Sequence, residues 1–227
     1  MLLLTGSMRL AALFSGGKDS VLAIHLAEQM GHTVPYLLNV RPEGGSWIFH
    51  VPNQNMVPLM AVSMGKELRS VPTDGTEGGD MDALRTLLED LDAEGVVTGA
   101  VWSDYQWERI NAVCGEYGLK TISPLWRKDQ RTVLKEVIDS GIKAIIAGAY
   151  AEGLTEEWLG RMIDKDSAEE LAALSERYGI SVIGEGGEYE SLVIDSPIQS
   201  SAISLDAYEK EWKNGSGTLR VTAASLR

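Results

Sequence analysis

The sequence contains very little cysteine: Cys114 is the only one. An internal disulfide framework is therefore excluded, and so are a zinc site built from several cysteines and sulfur-transfer chemistry that needs a second thiol. We expect a protein with this cysteine usage in the cytoplasm. The three histidines do not have the spacing of a three-ligand zinc site, so they predict no metal centre either.

Positive charge is also scarce, because 20 Lys and Arg are set against 33 Asp and Glu, which gives a net charge of −13. Such a field repels nucleic-acid phosphates and anionic lipids, so we expect no nucleic acid and no membrane among the partners. Apolar runs such as residues 144–147 are far shorter than the roughly 20 residues that span a bilayer. Residues 1–7 lack the features of a secretory signal. The remaining composition is typical of a globular enzyme or binding domain.

Short apolar runs and helical patterns alternate along the first half of the chain. Residues 9–14 form an apolar run that ends at a glycine turn, as in a buried parallel strand, and residues 18–30 repeat apolar side chains at helical spacing. The alternation continues with strands predicted at 33–40, 68–72 and 96–99 and helices predicted at 57–66, 81–91 and 107–117. It predicts an α/β fold, an open and mostly parallel sheet with helices on both faces.

The pattern changes close to residue 125. Beyond it we predict helices at 131–140 and 168–178 and strands at 144–148, 191–194 and 218–223. Strands and helices no longer alternate regularly there, which is typical of an α+β arrangement. We therefore expect two domains, residues 8–125 with the parallel sheet and residues 126–227 with a smaller α+β fold.

The segment SGGKDS lies where the first strand meets the first helix. It consists of Ser15, Gly16, Gly17, Lys18, Asp19 and Ser20. Ligands of open α/β sheets bind beside such junctions, and the two glycines let backbone N–H groups approach an anion while the lysine adds a positive charge. The loop therefore predicts a phosphate or pyrophosphate site. It is not a Walker A loop, because Ala12 and Asp19 stand where that motif needs Gly and Ser or Thr.

Two polar residues follow a glycine-rich stretch that we expect at the ligand-binding edge of the sheet. His50 and Asn53 can bind oxygens of a nucleotide or substrate there. The alternative is structural, a loop histidine with an asparagine that forms an Asx turn.

The segment after the strand at 96–99 supplies further candidates. Gly99 ends that strand, and Ser103 suits the N-cap of the next helix. Gln106 and Arg109 are three residues apart and share a helix face, which we expect near the same edge. Arg109 can neutralise charge on a phosphate or hold a carboxylate, and the alternative is a surface ion pair.

A glycine- and glutamate-rich segment near the C-terminus predicts substrate contacts. The candidates are Glu185, Gly186, Gly187, Glu188, Tyr189 and Glu190. The carboxylates can ligate Mg²⁺ together with phosphates, orient ammonium or face a cationic substrate. The alternative is a solvated acidic turn.

These motifs together resemble known proteins. SGGKDS is similar to the PP-loop of the N-type ATP pyrophosphatases, which bind ATP and release pyrophosphate. The chain also carries FHVPN at 49–53, SDYQWER at 103–109, PLW at 124–126, WLG at 158–160 and GEGGEYESLVID at 184–195. With them the chain resembles the diphthine–ammonia ligase family over residues 8–198. Ser191 stands where Thr is common in that family.

The resemblance implies a fold and a reaction. The fold is adenine nucleotide α-hydrolase-like, with a PP-loop nucleotide domain at 8–125 and a substrate-recognition domain at 126–227. The reaction is an ATP- and Mg²⁺-dependent ligation in which the carboxylate of diphthine on translation elongation factor 2 is adenylated and then amidated by ammonia, supplied as ammonium. No residue is assigned to the metal.

The resemblance also implies roles for individual residues. The catalytic residues would be Lys18, Arg109 and Glu188, and ATP would bind to the SGGKDS loop with His50, Asn53, Gly99, Ser103 and Gln106. Diphthine carries a trimethylammonio group, for which acidic residues beside Tyr189, Trp102 or Tyr105 would form a cation–π site.

Two other functions remain open from the sequence. The first is a PP-loop ligase that adenylates a different carboxylate, such as a small metabolite. The second is a module that senses ATP without turnover. A homodimer is also left open.

Overall fold

The first part of the chain forms a parallel sheet. The computed structural model describes residues 6–42 and 52–227. The strands are β1 (Arg9–Leu13), β2 (Thr33–Pro42), β3 (Glu67–Thr73), β4 (Gly95–Val97) and β5 (Lys120–Ile122). They pair in parallel in the order β3-β2-β1-β4-β5. The chain therefore moves outward in one direction from β1 to β3 and in the other through β4 and β5, which opens a crevice at the carboxyl ends of β1 and β4.

Helices cover both faces of this sheet. They are α1 (Lys18–Gln29), α2 (Val57–Met64), α3 (Glu77–Leu88) and α4 (Asp104–Glu116). Alternate residues of β1 face opposite sides: Leu10 and Ala12 pack in the cluster that contains α1 and α2, whereas Ala11 and Leu13 pack in the cluster that contains α3 and α4. The central strand β1 is thus buried on both faces, as is usual in a parallel sheet, whereas the edge strands β3 and β5 are only partly buried.

The second part of the chain adds an antiparallel sheet. It contains α5 (Gln130–Asp139), β6 (Lys143–Ala149), α6 (Lys165–Tyr178), β7 (Tyr189–Asp195), β8 (Ile203–Lys213) and β9 (Ser216–Leu226). The strand order is β7-β6-β9-β8, and every pair is antiparallel. The predicted fold class, an open parallel sheet with helices on both faces and a smaller α+β part, is confirmed.

The two sheets share one hydrophobic cluster. It joins Phe14 and Leu22 of the first part to Ile146, Leu192 and Val193 of the second. The predicted domain boundary near residue 125 falls between β5 and α5 and stays a prediction. No helix within residues 6–42 and 52–227 is long and apolar enough to cross a lipid bilayer.

Two strands were not predicted. β5 is only three residues long, so a periodic pattern cannot develop in it. β8 is largely exposed, and the alternation of Ile203, Leu205 and Ala207 at its start gives way to a charged second half, so no apolar period runs through the strand. Both strands lie at an edge of their sheet.

Candidate functional site

A cleft of about 640 Å³ opens at the carboxyl ends of the central parallel strands. One wall comes from the ends of β1 and β2 and from the segment after β4, and the other comes from the second part of the chain. The predicted site residues that line it are Ser15, Asp19, Ser20, Gly99, Ser103, Gln106, Glu185, Gly186, Gly187 and Glu190. The volume falls in the range usual for small-molecule sites.

The SGGKDS loop forms the turn between β1 and α1. Gly16 has a φ of +81°, which favours glycine, and a Cβ there would lie 2.9 Å from Sδ of Met60. The Gly17 N–H donates to Oγ of Ser15 at 3.3 Å, and Oγ of Ser20 donates to the Gly17 carbonyl at 2.9 Å. The loop is therefore internally braced, and the two serine side chains lie at the cleft.

Lys18 is buried behind the loop, with only 2% of its surface exposed. Its Nζ donates to Oδ2 of Asp19 at 2.9 Å and to the carbonyl of Ile183 at 2.6 Å. Burial disfavours the charged form, but Asp19 and Tyr189 outweigh it and raise the pKa of Lys18. Lys18 and the two glycines are not among the described residues that line the cleft.

Asp19 lines the cleft, and one of its two carboxylate oxygens has no hydrogen-bond partner among the described residues. Its Oδ2 accepts from Lys18, whereas its Oδ1 is buried without a hydrogen-bond partner among the described residues. Burial of a carboxylate oxygen without a hydrogen-bond partner destabilises the fold unless a ligand supplies the partner. The part of the chain that the structure describes contains no group of three His, Cys, Asp or Glu side chains able to hold a metal ion by itself.

Strand β7 holds the loop in place from the second sheet. Oγ of Ser191 accepts the first helical N–H, that of Lys18, at 3.1 Å, and the Val193 N–H donates to the Gly16 carbonyl at 3.0 Å. These contacts were not predicted from the sequence, because residues such as Lys18 and Ser191 lie 173 positions apart in the chain. Ser191 was noted only as a departure from the related sequences.

Glu185 connects the glycine–glutamate segment to the start of α4. Its Oε1 accepts from the backbone N–H groups of Val101, Trp102 and Ser103 at 3.3, 2.8 and 2.9 Å. Burial raises the pKa of Glu185, and these N–H groups oppose the rise. Successive N–H groups at a helix start favour an anion, so the carboxylate is well placed to stabilise the helix end.

Two neighbouring residues face inward and are not among the described residues that line the cleft. The Glu188 carboxylate accepts from the N–H groups of Ser181 at 2.9 Å and Gly186 at 2.8 Å. Tyr189 is buried, its hydroxyl donates to the Val182 carbonyl at 2.9 Å, and burial raises its pKa to about 12. Their predicted substrate roles, and the catalytic role of Glu188, stay predictions.

Glu190 is an unpaired carboxylate at the cleft. Its side chain makes no hydrogen bond or ion pair with the described residues. Burial raises its pKa to about 7; Lys18 acts against the rise, and the carboxylates of Asp19 and Glu185 add to it. Glu190 therefore changes its charge near neutral pH.

The start of α4 brings two predicted residues to the cleft and leaves one outside it. Ser103 caps the helix by accepting the Gln106 N–H at 3.3 Å. Arg109 donates from Nε to Oε1 of Glu77 at 2.6 Å, and its guanidinium lies 3.4 Å from the centre of the Tyr105 ring. Arg109 is not among the cleft-lining residues that the structure describes, so its catalytic role stays a prediction.

Asn53, predicted as a binding residue beyond β2, has a structural role in the fold. Asn53 is buried: its Nδ2 donates to the Leu219 carbonyl at 2.8 Å and its Oδ1 accepts the Val221 N–H at 2.7 Å. It fixes strand β9 and is not a cleft-lining residue in the described part of the chain. His50 lies outside the described residues.

Sequence reasoning missed several cleft residues, namely Asn39, Gln54, Thr98 and Tyr150. Asn39 is buried in β2, where its Nδ2 donates to the Phe14 carbonyl at 3.0 Å and to Oε1 of Gln54 at 2.9 Å. A lone amide within an apolar strand was the available signal, because a buried polar side chain needs partners that only a site or a turn supplies.

The chain matches both halves of one known protein family. The diphthamide synthase N-terminal domain matches residues 8–121, and the diphthamide synthase C-terminal domain matches residues 129–226. A diphthine–ammonia ligase of Danio rerio is 36% identical over 89% of this chain and 88% of that protein. A diphthine–ammonia ligase of Schizosaccharomyces pombe is 34% identical over 87% of this chain but only 36% of its own length.

A solved structure is a more distant match. It is described as a "predicted subunit of tRNA methyltransferase" from Methanocaldococcus jannaschii DSM, is 17% identical, and has a TM-score of 0.46 over 84% of this chain and 98% of that chain. A likeness at that level carries no argument about function. Both domain families and the sequence identity lead to one conclusion: the chain belongs to the diphthamide synthase family.

Proposed function

We propose that this protein is an ATP-dependent ligase that converts the carboxylate of diphthine into an amide with ammonia. The names and similarity of its relatives support this reaction over 89% of the chain, and the two family domains match residues 8–121 and 129–226. One structural observation supports it most directly. The SGGKDS loop and the glycine–glutamate segment, the two motifs on which the family resemblance depends, line opposite walls of one cleft. Other carboxylate acceptors and pure ATP sensing receive no comparable support.

We propose that ATP binds with its phosphates at the serine side chains and backbone of the loop. Ser15 and Ser20 offer hydroxyl groups there, and the start of helix α1 favours an anion. Lys18 lies behind the loop, where it is paired with Asp19. The adenosine would then lie toward the apolar side of the cleft, which Phe14, Leu38 and Val40 line.

Mg²⁺ fits this arrangement through Asp19. Asp19 lines the cleft, and its Oδ1 is buried without a hydrogen-bond partner among the described residues. Mg²⁺ is commonly held by one or two carboxylates together with substrate phosphates, so Asp19 would hold the ion once its side chain turns Oδ1 toward the cleft. When bound, the ion would neutralise charge on the phosphates. No larger set of protein ligands is needed.

The proposed chemistry proceeds in two displacements. A carboxylate oxygen of diphthine attacks the α-phosphorus of ATP, and pyrophosphate leaves, which gives an acyl-adenylate. Ammonia then attacks the carbonyl carbon, the carbon–oxygen bond to AMP breaks, and the amide forms with loss of one proton. The protein contributes positioning and charge stabilisation, in which we assign Lys18 and the loop N–H groups to the departing pyrophosphate.

The partners follow from this reaction. The acceptor is a protein that bears diphthine, which we propose to be translation elongation factor 2, and ammonium supplies the nitrogen. Because that factor works in the cytoplasm, we propose the same location for this protein.

The test is to follow ATP labelled at the α-phosphate. We expect AMP only when diphthine-bearing elongation factor 2 and ammonium are both present, in a one-to-one ratio to amide formed. Unmodified elongation factor 2 is the matched control. Formation of ADP, or AMP formation that is independent of the acceptor, would contradict the proposal.

A further inference from the structure

The three aromatic rings predicted from the sequence to bind the trimethylammonio group already have positively charged side chains of the protein over them. Nζ of Lys18 lies 5.0 Å from the centre of the Tyr189 ring. The guanidinium of Arg109 lies 3.4 Å from the Tyr105 ring centre, and that of Arg127 lies 4.8 Å from the Trp102 ring centre. Tyr189 is in addition only 2% exposed, so a ligand cannot reach it without rearrangement.

Tyr150 is a different kind of ring, because it lines the cleft and 38% of its surface is exposed. None of the described residues places a cation over it. It directly follows β6, and its backbone N–H donates to the Glu188 carbonyl at 2.9 Å, which fixes its position beside β7.

A glycine makes room for this ring on the sheet. A Cβ at Gly148 would come within 2.6 Å of Cζ of Tyr150, so the phenol covers the glycine. Gly148 pairs directly with Glu190 on β7 and with Thr218 on β9, and directly opposed residues present their side chains on the same face. The phenol oxygen lies 3.4 Å from Oγ1 of Thr218, so the ring occupies the space between Thr218 and Glu190.

Glu190 gives this ring a charged neighbour. Burial raises the pKa of Tyr150, and the Glu190 carboxylate adds to the rise, as expected of two groups that sense each other. Glu190 has no partner among the described residues, so its negative charge is available to a ligand. A π face beside an unpaired carboxylate is the chemical pattern that recognises quaternary ammonium groups.

We propose that Tyr150 and Glu190 form the subsite that binds the quaternary ammonium group of the acceptor. The inference rests on the proposed function, because diphthine carries its trimethylammonio group on the carbon that bears the reacting carboxylate. Tyr150, Glu190 and the SGGKDS serines line one cleft. A cation held between Tyr150 and Glu190 therefore keeps the adjacent carboxylate in the cleft that receives the ATP phosphates.

Two small probes test the subsite. Betaine has a trimethylammonio group next to a carboxylate, and 3,3-dimethylbutanoate has the same shape without the positive charge. We expect the wild-type protein at pH 8 to bind betaine more tightly than 3,3-dimethylbutanoate, which keeps the carboxylate but lacks the cation, measured from broadening of the methyl resonance of each probe. Tyr150→Leu and Glu190→Gln should each weaken betaine binding by roughly 5- to 30-fold, whereas Tyr150→Phe should keep it within about twofold.

The outcomes separate this inference from the proposed function. If betaine binds no better than its isostere, or if Tyr150→Leu and Glu190→Gln leave the betaine Kd unchanged, the subsite is overturned. It is also overturned if Tyr150→Leu weakens ATP binding as much as betaine binding, because the ring would then contact the nucleotide. Acceptor-dependent AMP formation by the wild-type protein, measured in parallel, tests the ligase activity whichever way the probes behave.

Discussion

At the scale of single residues, the lysine of the phosphate loop is an internal group. Lys18 is 2% exposed and donates to a backbone carbonyl of the second sheet, at Ile183. Its charge is therefore fixed behind the loop instead of moving freely in solvent. A fixed charge acts on phosphates through the field it creates, without the entropy cost of ordering a flexible side chain.

A glycine at the end of β4 sets the distance between that strand and the loop. A Cβ at Gly99 would lie 2.8 Å from the backbone nitrogen of Ser20 and from the carbonyl carbon of Asp19. Backbone atoms cannot turn aside as a side chain can, so Gly99→Ala must displace the first turn of α1. We expect a loss of ATP affinity of roughly 10- to 100-fold, measured by isothermal titration calorimetry.

Gly115→Ala is the matched control for this substitution. A Cβ there meets nothing within 4 Å, and the residue lies in α4. We expect unchanged ATP affinity and a gain in stability of up to about 1 kcal/mol, since alanine favours the helix. Equal ATP affinity for the wild type and Gly99→Ala would show that the close approach of β4 does not shape the site.

Glu190 predicts a pH dependence of stability. Burial is the main cause that raises its pKa from the ordinary 4.5 of a glutamate carboxyl group to about 7 in the folded protein. Between these two pH values the folded chain keeps a proton that the unfolded chain releases, so rising pH favours unfolding, and above pH 7 the full penalty applies. Glu190→Gln removes the penalty and should be more stable than the wild type by about 1–3 kcal/mol at pH 8.

Urea unfolding of both proteins at pH 5 and pH 8 measures this effect. The advantage of Glu190→Gln should shrink at pH 5, where the wild-type carboxyl group is largely protonated in the folded state. Glu157→Gln, at an exposed position, controls for the loss of one negative charge. A stability difference that is the same at both pH values would contradict the assignment.

At the scale of elements, the site depends on contacts between segments that are far apart in the chain. The loop between β1 and α1 is braced by β7, and the glycine–glutamate segment is attached to the start of α4 by Glu185. These contacts mean that neither wall of the cleft is formed independently of the other.

Glu185 offers a direct test of this attachment. Glu185→Ala leaves three N–H groups without their acceptor and should lower the free energy of unfolding by about 1–3 kcal/mol. Glu185→Gln keeps a carbonyl oxygen, so it should cost less than about 1 kcal/mol and retain most AMP formation. Urea unfolding and the labelled-ATP assay measure both effects. If Glu185→Gln is stable but inactive, the negative charge acts on the substrate instead.

The elements themselves show what a sequence can predict. The alternation of apolar runs and helical patterns predicts the parallel sheet because its central strands are buried on both faces and its helices pack one face against them. β8 was not predicted because its pairing with β9, and not a continuous apolar pattern of its own, stabilises it as a strand. The loop was found from local chemistry, whereas Ser191 and Ile183 were not, because tertiary packing alone brings them to Lys18.

At the scale of the whole molecule, one hydrophobic cluster connects both sheets and the cleft lies between them. Tyr150 and Glu190 at one wall and Ser15 and Ser20 at the other reach the same space from opposite parts of the chain. In the proposed function, a carboxylate held by the second part would meet phosphates held by the first. The composition predicted only which classes of partner to expect, and the packed structure brings these two walls together.

Diphthine whose carboxylate oxygens are ¹⁸O tests whether the acceptor carboxylate attacks the α-phosphorus of ATP, by mass spectrometry of the phosphate products. We expect one ¹⁸O in AMP, because the carboxylate oxygen stays on phosphorus when ammonia displaces the nucleotide. Recovery of the label in inorganic phosphate together with ADP would contradict it.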